Sequence, residues 1–183
     1  MLQYITSNQD KINVAIRNLN PLGVSFEAKS IELIEIQSSS LEDIAKDKAK
    51  QAFKAIKKPL FVSDHGWEIP ALNGFPGPYM KYMNDWLTSQ DFLNLMNGHS
   101  DKTIIKREVI CFVDASHSKC FTSKIEGRFI NGIRGEGLPA MRVVSFLPSG
   151  KSVAECTEDG VDSYENNPIW KNFANWIKSN TYF

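Results

Sequence analysis

Leu60-Phe61-Val62-Ser63-Asp64-His65-Gly66 is the stretch on which the fold turns. Its first three residues form a near-continuous apolar run of the kind that a central strand buries on both faces. Pro59 precedes it and stops a helix. In that helix Leu41, Ile44, Ala45, Lys48, Ala49, Ala52, Phe53 and Ile56 recur at three- and four-residue steps. Ser38-Ser39-Ser40 offers caps for its start. Further back, residues 31–36 and 24–26 read as strands, the former with Ile34 and Ile36 on one face and Glu35 on the other. Asn20-Pro21-Leu22-Gly23 ends a helix that begins near Lys11 and carries Ile12, Val14, Ala15, Ile16 and Leu19. Tyr4-Ile5-Thr6 is a short strand leading into it. Strand, helix, strand, helix, strand is the order of an α/β domain.

The sequence beyond Gly66 changes character. Asn73-Gly74-Phe75-Pro76-Gly77-Pro78 is a turn-rich loop, and residues 79–96 read as helical with a break near Thr88-Ser89. Residues 103–115 and 119–129 flank the polar tip Ser116-His117-Ser118 and predict a long hairpin. Residues 143–147 and 152–155 read as short strands, and a last helix from about Pro168 to Ser179 places Trp170, Phe173, Ala174 and Ile177 on one side. With no repeat and no low-complexity linker, the 183 residues read as one two-lobed domain spanning 1–183.

Composition excludes several classes of function. Lys and Arg number 21 and Asp and Glu 21, so the net charge is zero and gives no case for binding a nucleic-acid polymer. No run of about eighteen apolar residues is present, so no membrane span is expected. The first residues lack the pattern of a secretory signal, which points to the cytoplasm. Cys111, Cys120 and Cys156 have no metal-type spacing and read as buried free thiols of a reducing compartment.

Ligands of open α/β sheets bind beyond the carboxyl ends of the strands, and three polar groups fall there. Thr6-Ser7-Asn8-Gln9-Asp10-Lys11 is a strand-to-helix turn, where backbone N–H groups favour anions and Lys11 adds a mobile positive charge. The same residues also suit a plain capped helix with a solvated lysine. Asp64 suits either a turn cap or a ligand. Glu35, inside a strand otherwise buried on both faces, is costly unless paired or metal-bound. Together Glu35 and Asp64 could hold Mg2+, which takes one or two carboxylates with waters and phosphate oxygens. Lys48, on the buried face of its helix, could neutralise a further phosphate. Trp67, Tyr79, Tyr82 and Trp86 suit either an aromatic wall for a base or a core and dimer interface.

These residues carry a resemblance. Thr6-Ser7-Asn8-Gln9-Asp10-Lys11 is similar to the Thr-Gly-Asn-x-x-Lys phosphate loop of the inosine triphosphate pyrophosphatases, which remove noncanonical purine nucleotides from the precursor pool. Glu32-Leu33-Ile34-Glu35-Ile36-Gln37 resembles the strand with that family's metal-binding glutamate, and Ala45-Lys46-Asp47-Lys48-Ala49 the helix with its phosphate lysine. Val62-Ser63-Asp64-His65-Gly66 resembles the acidic motif whose second aspartate binds metal and serves as general base. The stretch from Ala71 to Lys81 is the most specific. The resemblance is strong over residues 1–97 and followable to about Glu155.

It implies an elongated mixed sheet flanked by helices, with two lobes and a central cleft, and a homodimer built partly from residues 74–86. It further implies magnesium-dependent hydrolysis of a nucleoside triphosphate to the monophosphate and pyrophosphate. Thr6, Ser7, Asn8, Lys11, Lys48 and His65 would contact substrate; Asp64, Lys11 and Lys48 would carry catalysis; Glu35 and Asp64 would hold the metal. The sequence also departs from the family pattern. Val14 stands where a glutamate is usual, Ser63 replaces the first acid of the acidic pair, and His65 replaces a Ser or Thr. The late Phe-Gly-Trp-Asp and Ser-His-Arg motifs have no counterpart, with Arg142 and Lys151 the nearest substitutes by position. A nucleotide-binding or scaffold protein without turnover is the alternative that these changes suggest.

Overall fold

Side-chain alternation along one strand organises the region around the candidate residues. In the computed structural model, which describes residues 1–164 and 167–180, this strand is β3 (Leu60–Glu68). It follows β1 (Leu2–Ile5), α1 (Gln9–Leu19), β2 (Phe26–Lys29) and α2 (Leu41–Ile56). Next come β4 (Pro76–Gly77), α3 (Met80–Trp86), α4 (Ser89–Leu95), β5 (Thr103–Val113) and β6 (Ser118–Phe129). The last elements are β7 (Val144–Ser145), α5 (Val153–Glu158) and α6 (Ile169–Ser179). The strands form one mixed sheet in the order β2-β1-β3-β5-β6-β7, with β4 added to β3. β1 runs parallel to both β2 and β3, pairing Leu2 with Phe26 and Tyr4 with Phe61.

The chain divides into two compact units, one of Met1–His65, Glu108–Ser123 and the stretch from Pro168, the other of Gly66–Arg107 and Lys124–Asn167. In the first unit, successive β3 residues point to opposite faces. Phe61 joins Tyr4, Ile110 and Phe112 beneath α1 and α6, where Ala15, Leu19, Trp170 and Phe173 complete the cluster. Leu60 and Val62 face the other way with Ile5, Val109 and Cys111, and α2 covers them through Leu41, Ala45, Ala49 and Ala52. Three of those four contacts from α2 are alanines, so the helix axis can sit close to the sheet. Ser40 caps α2 by accepting from the Asp43 N–H at 3.1 Å, and Lys57, at φ 52°, ends it. The second unit has its own core of Trp67, Ile69, Phe92, Met96, Ile104, Val143 and Val144.

Most elements lie where the sequence pattern puts them, including the broken helix of residues 79–96 and the long hairpin. Four expectations are corrected. Residues 31–36 form no strand: Ile34 is 80% exposed, while Ile31 and Leu33 are the side chains that pack, against the α2 cluster. The apolar content of the segment reports that packing and not a place in the sheet. The strand read at 24–26 is displaced to Phe26–Lys29, an edge strand whose Glu27 and Lys29 are exposed. Residues 152–155 open a helix, because Ser152 and Glu155 form a reciprocal capping box. Cys111 and Cys120 are joined in a disulfide across the β5–β6 hairpin, their Cα atoms 4.1 Å apart. Nine residues of sequence hide this neighbourhood, which only the strand pairing creates. Cys156 is free and buried, as expected.

Candidate active site

Alternation along β3 continues into the polar residues, so Asp64 follows Leu60 and Val62 onto the face that α2 covers. Lys48 of α2 meets it there, its Nζ donating to Asp64 Oδ2 at 2.8 Å. Lys11, in the first turn of α1, donates from its Nζ to Asp64 Oδ1 at 3.2 Å and to the Ser63 carbonyl at 3.0 Å. The His65 N–H adds a third donor to Asp64 Oδ1, at 3.0 Å. Asp64 thus lies within β3 and not at a turn beyond it. Its side chain is 16% exposed, against 22% for Lys11 and 20% for Lys48.

Burial by itself would push the Asp64 carboxyl up, yet the Lys11 and Lys48 ammoniums together outweigh it and hold the group below the usual carboxylate range. Burial likewise works against the Lys48 charge. Asp64 and Glu35 overcome it, and the ammonium sits above its ordinary value. The result is an ionised carboxylate held between two cations in a partly desolvated place.

Glu35 reaches this group from the irregular segment before α2. Its carboxylate pairs with the same Lys48 ammonium while its side chain remains 57% exposed. Besides the packing of Ile31 and Leu33, Gln51 ties the backbone of the segment to α2. Gln51 accepts from the Ile34 N–H at 3.2 Å and donates to the Ile34 carbonyl at 2.7 Å, and its second N–H goes to Asp47 Oδ2 at 2.5 Å. Glu35 and Asp64 therefore converge on one positive charge. That donor set fits a magnesium ion, which needs one or two carboxylates and takes its remaining oxygens from water and phosphate. Among the described residues no group of three or more His, Cys, Asp or Glu is placed to hold a metal.

The Thr6–Lys11 turn is built by its own polar groups. Asn8 Oδ1 caps α1 by accepting from the N–H of Asp10 at 2.8 Å and of Lys11 at 3.1 Å. Thr6 Oγ1 accepts from the Asn8 N–H at 3.1 Å, and the Thr6 N–H donates to the Lys29 carbonyl at 3.0 Å. Asn8 and Thr6 thereby fix where Lys11 starts; Ser7 and His65 are both exposed.

Sequence reasoning missed two contributors. The Tyr4 hydroxyl and Ser63 Oγ are hydrogen-bonded at 2.5 Å, and Tyr4 is wholly buried. Desolvation raises the phenol well above its ordinary value, so it stays protonated. Ser63, standing at the position of an acid, is thus held by a neutral partner, and its carbonyl in turn holds Lys11. Tyr4 reads as a core aromatic in the sequence, and nothing local betrays its hydroxyl. Gln51 reads as a solvated helix residue; its only signal is the spacing of three from Lys48. The aromatic residues divide: Trp67 is buried at 5% exposure, while Tyr79, Tyr82 and Trp86 are exposed. Arg142 donates through Nε to the Gly135 carbonyl, and Lys151 pairs with Asp159.

The chain is similar to known proteins over most of its length. The family model described as the Ham1 family matches residues 2–166. A protein of Thermococcus kodakarensis named dITP/XTP pyrophosphatase is 31% identical over 98% of this chain and 98% of its own length. One of the same name from Methanopyrus kandleri is 31% identical over 97% of this chain and 96% of its own. Among solved structures, the Staphylococcus aureus Ham1 protein superposes with a TM-score of 0.78 at 21% identity, covering 99% of this chain and all of that one. A HAM1 protein from Coxiella burnetii gives 0.79 at 18% identity, over 98% and 100%. These two likenesses speak for the fold.

Proposed function

The chain belongs to the Ham1 family, and from that premise we propose that it hydrolyses noncanonical purine nucleoside triphosphates, of the dITP and XTP type, to the monophosphate and pyrophosphate. The observation that carries the reading is the ionised Asp64 held between Lys11 and Lys48, with Glu35 on the same ammonium. Two ammoniums within reach of one carboxylate are what a triphosphate chain and an attacking water require together.

The chemistry assigned to these residues is an attack of water on the α-phosphorus. A bond forms between the water oxygen and that phosphorus, the α–β anhydride bond breaks, and pyrophosphate leaves. Asp64 takes the water's proton. Lys11 and Lys48 keep its carboxylate ionised and so able to accept that proton. Asn8 and Thr6 keep the first turn of α1 in place so that Lys11 meets the chain of phosphates. Glu35 and Asp64 would hold magnesium, which when bound supplies positive charge against the phosphate oxygens.

Base recognition is the weaker half. Arg142 and Lys151, the nearest substitutes for the missing late motifs, already have partners in Gly135 and Asp159. Inosine and adenosine triphosphates are therefore expected to differ by less than about tenfold in kcat/KM, or roughly 1.4 kcal/mol. The exposed Phe75, Tyr79, Tyr82 and Trp86, the last two with ring centroids 5.5 Å apart, support a homodimer through residues 74–86. Action on the nucleotide precursor pool would suit a cytoplasmic location. A panel of canonical, deaminated and modified triphosphates with magnesium, assayed for pyrophosphate against phosphate, tests the reading. Pyrophosphate release supports it. Binding without release would favour the scaffold reading, and a preference for inosine above about a hundredfold would show a rebuilt purine site.

A further inference from the structure

Glu35 has a problem of position that Asp64 does not share. Asp64 is carried by a strand inside the sheet, whereas Glu35 sits next to Ile34, which is 80% exposed, on a segment with no regular structure. A carboxylate on such a segment reaches its working place only part of the time unless something holds the backbone beside it. The Gln51 side-chain amide is placed to do this. Its Oε1 accepts from the Ile34 N–H at 3.2 Å and its Nε2 donates to the Ile34 carbonyl at 2.7 Å, so one side chain makes both bonds that a neighbouring strand would make. The remaining amide N–H goes to Asp47 Oδ2 at 2.5 Å, which fixes which end of the amide carries the oxygen. Gln51 and Lys48 lie three apart on α2 and so share a face. The helix thus grips Ile34 with one residue and meets the Glu35 carboxylate with the other.

We infer that Gln51 is a positioning residue, clamping the backbone at Ile34 so that the Glu35 carboxylate is held beside Lys48 and Asp64, ready for a divalent cation. The inference rests on the proposed metal role of Glu35. Gln51 touches neither phosphate nor metal in this scheme. Its loss lowers the fraction of molecules in which Glu35 is in place, and the apparent dissociation constant for the cation rises by the inverse of that fraction. Saturating cation then recovers the competent form, so the turnover number changes little.

The test uses the full chain without nucleotide, titrated with Mn2+ and followed by the paramagnetic resonance signal of the free ion. A parallel magnesium titration of pyrophosphate release is run on the same samples. Gln51→Leu keeps the size and removes both hydrogen bonds. Gln51→Glu keeps one acceptor but loses the donors and faces Asp47 with a like charge. Each is expected to weaken Mn2+ binding by about tenfold, the lower end of what supporting residues contribute to metal affinity. The magnesium requirement should shift in parallel, with kcat at saturation near that of the unaltered protein.

Thermal melts of both variants identify a sample that fails to fold, and the second variant then carries the comparison. The decisive readout is Gln51→Leu in the background of Glu35→Gln. If the clamp acts through Glu35, it adds nothing there. An equal further loss in that background overturns the inference, because Gln51 would then act by another route. Unaltered binding by Gln51→Leu and Gln51→Glu while Glu35→Gln binds weakly also overturns it and leaves the metal reading standing. Unaltered binding by all three removes Glu35 from the metal site and the inference with it.

Discussion

Asp64 lies inside a nine-residue strand with its side chain 16% exposed, whereas Glu35, which meets the same lysine, lies on an irregular segment and is 57% exposed. The sheet delivers Asp64: alternation from Leu60 and Val62 determines its face, and three donors surround its oxygens. Glu35 has no strand to hold it: its segment rests on α2 through Ile31 and Leu33, and its own position depends on Lys48 and on the Gln51 clamp at Ile34. The contrast separates two ways of placing a charge. One is built into the core and resists change, and the other is held by a few surface hydrogen bonds, each of modest net worth.

The largest effect is expected from the core member. Asp64→Asn removes the charge without changing size, and pyrophosphate release should fall by at least about a hundredfold while the circular dichroism spectrum is retained. Unchanged turnover would remove Asp64 from the mechanism and erase the contrast. Glu35→Gln should act mainly on cation affinity, raising the magnesium needed for half-maximal release by about tenfold, because water can take the place of an exposed ligand. A loss as deep as that of Asp64→Asn would make the two carboxylates equivalent.

A smaller effect is expected on stability against pH. The Asp64 carboxyl is held below its unfolded value of about 3.9, so its ionised form stabilises the fold above that pH. This contribution is lost as pH falls through the lower folded value. Lys48 is raised instead, so its contribution is present below about 10.4 and lost only as pH climbs through the higher folded value. Urea unfolding should therefore show the unaltered protein ahead of Asp64→Asn at pH 7, with the gap closing as pH falls below about 3.9. A gap that grows on acidification would mean that the carboxyl is not held low. The smallest effect belongs to the exposed segment, where Ile34→Ala should change unfolding free energy by no more than about 0.5 kcal/mol. A cost of several kcal/mol would show that the segment is part of the core.

The sequence by itself determined the α/β character, because periodicity of two and of three to four survives in any short window, and β3, α1, α2 and the long hairpin are all short-range patterns. It also marked Lys11 as a mobile charge in an anion-favouring turn, Lys48 as a charge on an apolar helix face, and Asp64 at the end of an apolar strand. Glu35 it marked on the premise of a buried strand that the structure does not form; the structure nonetheless brings these four together. The strand expected at 31–36 failed for the opposite reason. Apolar content there serves packing of Ile31 and Leu33 on α2, and content alone does not say which partner receives it.

Only the tertiary structure decided the pairings between residues far apart in the chain. Tyr4 with Ser63, Gln51 with Ile34, and Cys111 with Cys120 are separated by 59, 17 and 9 positions. A hydroxyl, an amide or a thiol declares its chemistry in the sequence but not its partner. The partner follows from how the sheet is ordered and how closely α2 rests upon it, which are properties of the whole packed unit.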